Sequence, residues 1–154
     1  MSARSIATKA GLALVVALAA VQTAWAGLGE SVETIAHDHL ALEGRALSQT
    51  PMPAYDRHEI MTTTGVRIRE YATRSGTVFA VAFSGPSIPD LRVLLAQHYA
   101  AYLAEAARPR VNHRAMSIES PGLVLSIVKL PRGFVGSAHV PTLVPAGVAP
   151  RELR

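Results

Sequence analysis

The alternation of apolar and polar residues is clearest in the middle of the chain, where it predicts two strands and a sharp corner. In Val66–Thr73 the alternate residues Val66, Ile68 and Ala72 are apolar, with Glu70 as the exception, which is the two-residue period of a half-buried antiparallel strand. Thr77–Phe83 is apolar on both faces, so we expect an interior strand that is covered on each side. Gly85 and Pro86 then break the sheet.

A long helix is predicted to follow this corner. Ser87 is a suitable N-cap, and Pro89 and Asp90 are suited to the first turn. The helix should end near Arg108, because Pro109 follows it. One face carries residues at helical spacing, namely Leu91, Leu94, Leu95, His98, Tyr99 and Tyr102.

A second helix is predicted nearer the N-terminus, over Glu30–Leu47. Its apolar face follows the i, i+3, i+4, i+7, i+8 spacing through Val32, Ile35, Ala36, His39 and Leu40. Ser48–Ala54 contains two prolines and is predicted to be a connector without a helix. Tyr55–Met61 is then the first strand of the sheet.

The C-terminal half predicts a hairpin and an extended tail. Ala115–Glu119 and Leu123–Leu130 flank a Pro-Gly turn signal, and Phe134–Val140 is a further short strand. The fold class is therefore α+β, with an antiparallel sheet (a three-stranded meander plus a hairpin) packed by one long helix and an N-terminal helix. The Pro/Gly-rich segment from Pro131 onward is too apolar for a solvated linker, and it can pack either on its own domain or on a partner.

The first 26 residues have the organisation of a secretory signal peptide. Arg4 and Lys9 precede an uncharged apolar run of eleven residues, and Ala24 and Ala26 flank a large residue in the A-x-A order of a cleavage site. The run is too short for a membrane span, which needs about 20 apolar residues. We therefore expect cleavage near Ala26 and a single mature domain, residues 27–154, in the periplasm or outside the cell, with no transmembrane span.

Composition narrows the chemistry of that mature domain. The formal charge of +4 falls to +2 when the two basic residues of the leader are removed, and the arginines are scattered, so a nucleic-acid partner is not predicted. The chain has no cysteine, which excludes disulfides, thiol nucleophiles and thiolate metal sites. No cofactor is predicted, and the oligomeric state is left open.

Few residues are candidates for a functional site. Arg67, Arg69 and Tyr71 share one face of a predicted strand, which would suit an anion or a polysaccharide, although a solvated outer sheet face has the same pattern. His58 and His139 are further binding candidates, since the fold could gather His58, His113 and His139 into one polar site. The six histidines lack the i, i+3 or i, i+4 spacing of a helical metal pair, so no metal site is assigned.

Several motifs together resemble a known bacterial family. They are Arg-Glu-Tyr at residues 69–71, SGTVFAV at 75–81, Gly-Pro at 85–86, PDLR at 89–92 and the tail GFVGSAHVPTLVPAGV at 133–148. This combination resembles the family catalogued as domain of unknown function 2844, over nearly all of the mature chain. The resemblance implies an exported protein of unknown function and supplies no catalytic residue.

Two functional hypotheses remain at this point. The first is a non-enzymatic, exported domain that binds another envelope protein or a small ligand. It is favoured because no serine nucleophile elbow and no glycine-rich phosphate loop is present. The alternative is a small periplasmic enzyme, similar to a hydrolase, with a site built from His58, Glu70 and His139. Under the first, favoured hypothesis no residue is catalytic.

Overall fold

The computed structural model describes residues 27–34, 41–109 and 114–153. The predicted signal peptide lies outside the described residues, as does the middle of the predicted N-terminal helix, residues 35–40. The fold is broadly α+β, and most of it is sheet.

The described residues form one seven-stranded sheet in which every neighbouring pair is antiparallel. Its spatial order is β1-β2-β3-β4-β7-β6-β5. The strands are β1 (Gly44–Pro51), β2 (Tyr55–Thr62), β3 (Arg67–Thr73), β4 (Val78–Gly85), β5 (Ala115–Ser120), β6 (Leu123–Leu130) and β7 (Gly133–His139). The predicted meander is β2-β3-β4 and the predicted hairpin is β5-β6, so both are confirmed.

Strand β7 joins these two halves into a single sheet. It follows β6 after a two-residue turn and pairs with it in register from Leu130↔Gly133 to Val124↔His139. Its other edge pairs with β4, from Gly85↔Phe134 to Ala80↔His139. The short strand predicted in the C-terminal segment therefore lies next to the centre of the sheet.

The predicted N-terminal helix is wrong at its C-terminal end. Residues 44–47 belong to β1, which continues through most of the predicted connector to Pro51 and pairs with β2. β1 is an edge strand whose side chains are nearly all exposed, so its sequence lacks the apolar alternation that identifies a strand. Pro51 is tolerated because an edge strand has one side without a ladder. Near residue 30, where the α-helix is predicted to begin, the structure has a 3₁₀ turn, Val32–Thr34.

The long helix forms, but it starts later than predicted and is interrupted. α1 (Leu91–Leu95) is capped by Asp90, whose Oδ1 accepts the backbone N–H of Arg92 at 2.9 Å, rather than by Ser87. A 3₁₀ turn at Ala96–His98 separates α1 from α2 (Tyr99–Ala106). The interruption lies where the N-terminal segment docks, because the Leu28 N–H donates to the Leu94 carbonyl at 2.9 Å.

Apolar side chains pack on both faces of the sheet. On the face that we call the helix-facing face, α1 covers a core that includes Ile68, Val81 and Leu125. On the opposite face, called the outer face, the C-terminal segment covers a smaller cluster around Tyr55, Tyr71 and Phe79. Strand β4 is buried along its apolar length, as its two-sided sequence predicts. Leu153 is only 2% exposed in the outer cluster, so the tail packs on its own domain.

Candidate functional site

The pairing register assigns each polar strand residue to one face of the sheet. Residues directly opposite each other in an antiparallel pair lie on the same face, and neighbours along a strand lie on opposite faces. One row across the outer face contains Glu59, Arg69, Ala82, Ser137 and Ser126. The next row along the strands contains Met61, Arg67, Ser84, Val135 and Val128.

Four of the five candidate residues predicted from the sequence lie on the outer face. Arg67, Arg69 and Tyr71 alternate along β3, and His139 occupies the row of Tyr71 through the pairing Tyr71↔Ala80↔His139. His58 lies on the helix-facing face, because it pairs with Glu70 in the row of Val81 and Ala138. The outer face therefore brings together most of the predicted binding candidates.

The two arginines share one carboxylate. Glu59 Oε1 accepts Arg67 Nη1 at 2.7 Å, and Glu59 Oε2 lies 3.5 Å from Arg69 Nε. The Glu59 side chain is nearly buried, while the arginine side chains are 43% and 25% exposed. Two guanidinium groups with one carboxylate leave a net positive charge at a partly desolvated surface, which suits an anionic group on a ligand.

The side chain of Tyr71 packs in the aromatic cluster and is not part of the exposed surface. Its ring centroid is 5.7 Å from that of Tyr55 and 6.4 Å from that of Phe79, and the side chain is almost fully buried. Desolvation is the main reason why the pKa of Tyr71 is raised, while the charge of Arg69 opposes the shift. The phenol is therefore neutral at physiological pH and inaccessible to a ligand in solution.

The outer face is hollow beside the arginines. An open depression of about 500 Å³, here called the serine hollow, is lined by side chains that include Arg69, Ser84, Ser126, Val128, Val135 and Ser137. Hydroxyl groups can donate and accept hydrogen bonds, so three serines near a guanidinium group make a surface for polar or anionic groups.

A second depression continues from the first toward the end of the sheet. This apolar hollow, of about 580 Å³, is lined by Pro86, Leu130, Pro131, Arg132 and Phe134, and it shares Ser84 and Val135 with the serine hollow. Leu130 is 44% exposed and Val135 is 36% exposed. The two depressions adjoin at Ser84 and Val135, and together they are called the groove.

Sequence reasoning missed the serines of this groove because they come from three strands, and β4 is far from β6 and β7 in the chain. Ser84 is in β4, Ser126 in β6 and Ser137 in β7, and only the insertion of β7 between the other two strands brings them together. A local signal did exist, since Ser126 and Ser137 are each flanked by apolar or small residues within a predicted strand. That alternation places them on the face opposite the helix.

The proposed enzymatic residues lie on two different faces. His58 pairs directly with the fully buried Glu70, and His58 Nε2 is buried with no hydrogen-bond partner among the described residues. Desolvation lowers the pKa of His58, with Asp56 acting in the opposite direction, and desolvation also lowers the pKa of His139. Because His139 lies on the outer face, the three side chains do not converge. Of the predicted enzymatic site, only the cross-strand pair of His58 and Glu70 remains.

Two features are absent from the part of the chain that the structure describes. Within it, no group of three or more histidine, aspartate or glutamate side chains is arranged to hold a metal ion. Within the same residues, no helix combines the length and apolar character needed to cross a membrane.

Fold and groove together define a small α+β domain whose antiparallel sheet is covered by helix on one face and by its own C-terminal segment on part of the other. The chain belongs to the family described as Protein of unknown function (DUF2844), whose profile matches residues 24–153. This confirms the resemblance found in the sequence motifs. Comparison with curated proteins and with solved structures gave no match.

Proposed function

We propose that this protein is an exported, non-enzymatic domain of the cell envelope that binds a ligand carrying an anionic group in the groove on its outer face. The observation that carries the proposal is the serine hollow. It lies beside a pair of arginines that share one carboxylate, on the part of the outer face where Ser126 and Val135 stay exposed. Concave sites with a few convergent polar groups are the usual place for small ligands.

The position of the groove supports binding rather than catalysis. The polar side chains that line it are serines and arginines; His58 and Glu70 lie on the other face, and His139 and Glu59, which are on the outer face, do not line the groove. General acid–base catalysis requires a titratable group within hydrogen-bond reach of the reacting atom. The groove is thus equipped to hold and orient a ligand.

Export is proposed from the leader sequence and from the start of the packed domain. Leu28, two residues after the expected cleavage position, is fully buried against the helix-facing core, which supports a mature domain that includes it. The family profile also begins close to that position, at residue 24. Cleavage after Ala26 would remove the apolar leader and leave the packed domain intact.

Processing at this position can be tested with two leader variants. We expect protein recovered from the periplasm of an expression host to have an intact mass that begins at Gly27. Ala26→Leu should block processing, because the residue before the cleaved bond must be small. Trp25→Leu is the matched control, since a large residue already occupies that position. Equal processing of both variants, or a periplasmic protein that retains residues 1–26, would contradict the proposal.

The binding site can be tested by filling the serine hollow. We expect at least one compound among inorganic phosphate, citrate, butyrate, dodecanoate and a galacturonic acid oligomer to raise the thermal midpoint of the mature protein. Ser126→Trp should abolish that increase, because the indole would occupy the hollow. The exposed location of Ser126 should allow the variant to fold with an almost unchanged midpoint of its own.

Ser117→Trp is the control for this experiment. Ser117 pairs directly with Ser126 and is also exposed, but it lies on the edge strand β5 and does not line the hollow. Its ligand-dependent increase should equal that of the wild-type protein. An increase that survives in Ser126→Trp would place the ligand elsewhere, and a panel without any active compound would count against the proposed ligand class.

A further inference from the structure

We propose that the ligand of the groove is a single-chain amphiphile, an acyl chain with an anionic head group. The inference rests on the proposed binding function and specifies the ligand class. Its basis is a change of polarity along the strands that line the groove, with charge at one end and exposed apolar side chains at the other.

Strand β6 shows this change most directly. From the row of Arg69 toward the apolar hollow, its outer-face residues are Ser126, Val128 and Leu130, because each second residue returns to the same face; Val124, on the other side of Ser126, lies in the row of His139. Ser137 and Val135 repeat the order along β7. At about 3.3 Å per residue, the four steps along the strand from Ser126 to Leu130 give the groove a length of roughly 13 Å. That shape suits one extended chain better than a compact polar molecule.

The apolar end is exposed to solvent in the described part of the chain. Leu130 and Val135 retain 44% and 36% exposure, and Pro86, Pro131 and Phe134 line the same hollow together with one charged residue, Arg132. A contiguous exposed apolar patch is a common mark of a binding surface. A small hydrophilic anion would contact the serines and leave this patch in water, whereas a hydrocarbon chain would cover it.

The other end supplies charge complementarity for the head group. Arg67 and Arg69 share Glu59, so the three side chains carry one more positive than negative charge. Ser137 and Ser126 lie in the same row as Arg69 and can donate hydrogen bonds to a carboxylate or phosphate oxygen. A neutral or cationic chain would gain nothing from this end.

The test is calorimetric titration of the mature protein with four ligands, each below its micelle concentration. They are dodecanoate, butyrate, dodecanol and dodecyltrimethylammonium. We expect one dodecanoate per chain, bound about 100-fold more tightly than butyrate, since chain burial in an open groove realises only part of the usual gain per methylene. Dodecanol and the cationic amphiphile should bind at least about 10-fold more weakly than dodecanoate.

Two variants locate the chain without altering the arginines. Val135→Asp should weaken dodecanoate binding by about 10-fold or more, because it places a carboxylate in the apolar wall. Leu103→Asp changes an exposed leucine on α2 and should leave binding unchanged. The charge of the head group is varied in the ligand, since replacing Arg69 would also disturb the nearly buried Glu59.

The outcomes separate this inference from the proposed function. If butyrate or citrate binds as tightly as dodecanoate and Ser126→Trp abolishes that binding, the groove is a ligand site and the amphiphile inference is overturned. If dodecanol or the cationic amphiphile binds as tightly as dodecanoate, the requirement for an anionic head group is overturned. If dodecanoate binds Ser126→Trp and Val135→Asp as tightly as it binds the wild-type protein, it occupies another surface and the amphiphile inference is overturned; the proposed function also fails if no other compound of the thermal panel depends on Ser126.

Discussion

Gly85→Ala is expected to destabilise the domain by about 3 kcal/mol, at the upper end of the usual cost of overpacking. A Cβ atom at this position would lie 2.7 Å from Val66 Cα and 3.1 Å from the Gly65 carbonyl oxygen. Both are backbone atoms, so no side-chain rotation can relieve the overlap. The end of β4 would have to move away from β3, and the corner that leads toward α1 would move with it.

The measurement is urea unfolding of the mature protein at pH 7, with Gly122→Ala as the control. Gly122 lies in the β5–β6 turn, and a Cβ atom there would have no neighbour within 4 Å. The control should change the free energy of unfolding by no more than about 0.5 kcal/mol. A Gly85→Ala variant as stable as Gly122→Ala would show that β3 and β4 are not so closely packed at this corner.

The same corner explains which parts of the fold could be predicted from the sequence. The period of Val66–Thr73, the two-sided apolar run at Thr77–Phe83 and the break at Gly85 are all local signals. They identified β3 and β4 within a few residues. The helix start was placed at Ser87 because a serine is a good cap, but Asp90 competes for the same role and makes the observed hydrogen bond.

Non-local pairing is the reason why the rest was missed. Nothing in the composition of β1 indicates that Gly44–Pro51 adds an edge strand, because an exposed edge has no apolar face to generate a pattern. Nothing local places β7 between β4 and β6 either, since that pairing depends on contacts between Gly133–His139 and residues about fifty positions earlier. The groove depends on this insertion, so the arginine side of the site was predictable and the serine side was not.

The C-terminal segment determines how much of the outer face stays available. Val144 and Val148 pack with Leu153 over the aromatic cluster, which removes Tyr71 from the surface. The Arg69–Ser137–Ser126 row lies toward the opposite end of the strands, next to the apolar hollow. The tail therefore covers one part of the outer face, and the groove occupies another. A substitution in the aromatic cluster should lower the stability of the domain more than it weakens ligand binding.

Phe79→Ala tests this division and should destabilise the domain by about 4 kcal/mol, within the usual range for removing a buried phenylalanine. Phe79 is fully buried, and its ring centroid lies 5.9 Å from that of Tyr55. The residue is the extra one in a bulge, because Tyr71 pairs with Ala80 and Ala72 with Val78. Its ring therefore projects into the space between the sheet and the tail, where no neighbouring strand residue can replace it.

We expect the thermal midpoint of Phe79→Ala to fall by roughly 10–15 °C, and proteolytic cleavage within residues 141–153 to become faster than in the wild-type protein. Leu103→Ala removes a half-exposed leucine from α2 and should change stability by no more than about 0.5 kcal/mol. Equal stability of the two variants would mean that the tail does not depend on the aromatic cluster. A large loss of stability without faster cleavage of the tail would instead mean that Phe79 stabilises only the sheet. The tail would then remain docked in the absence of the Phe79 ring.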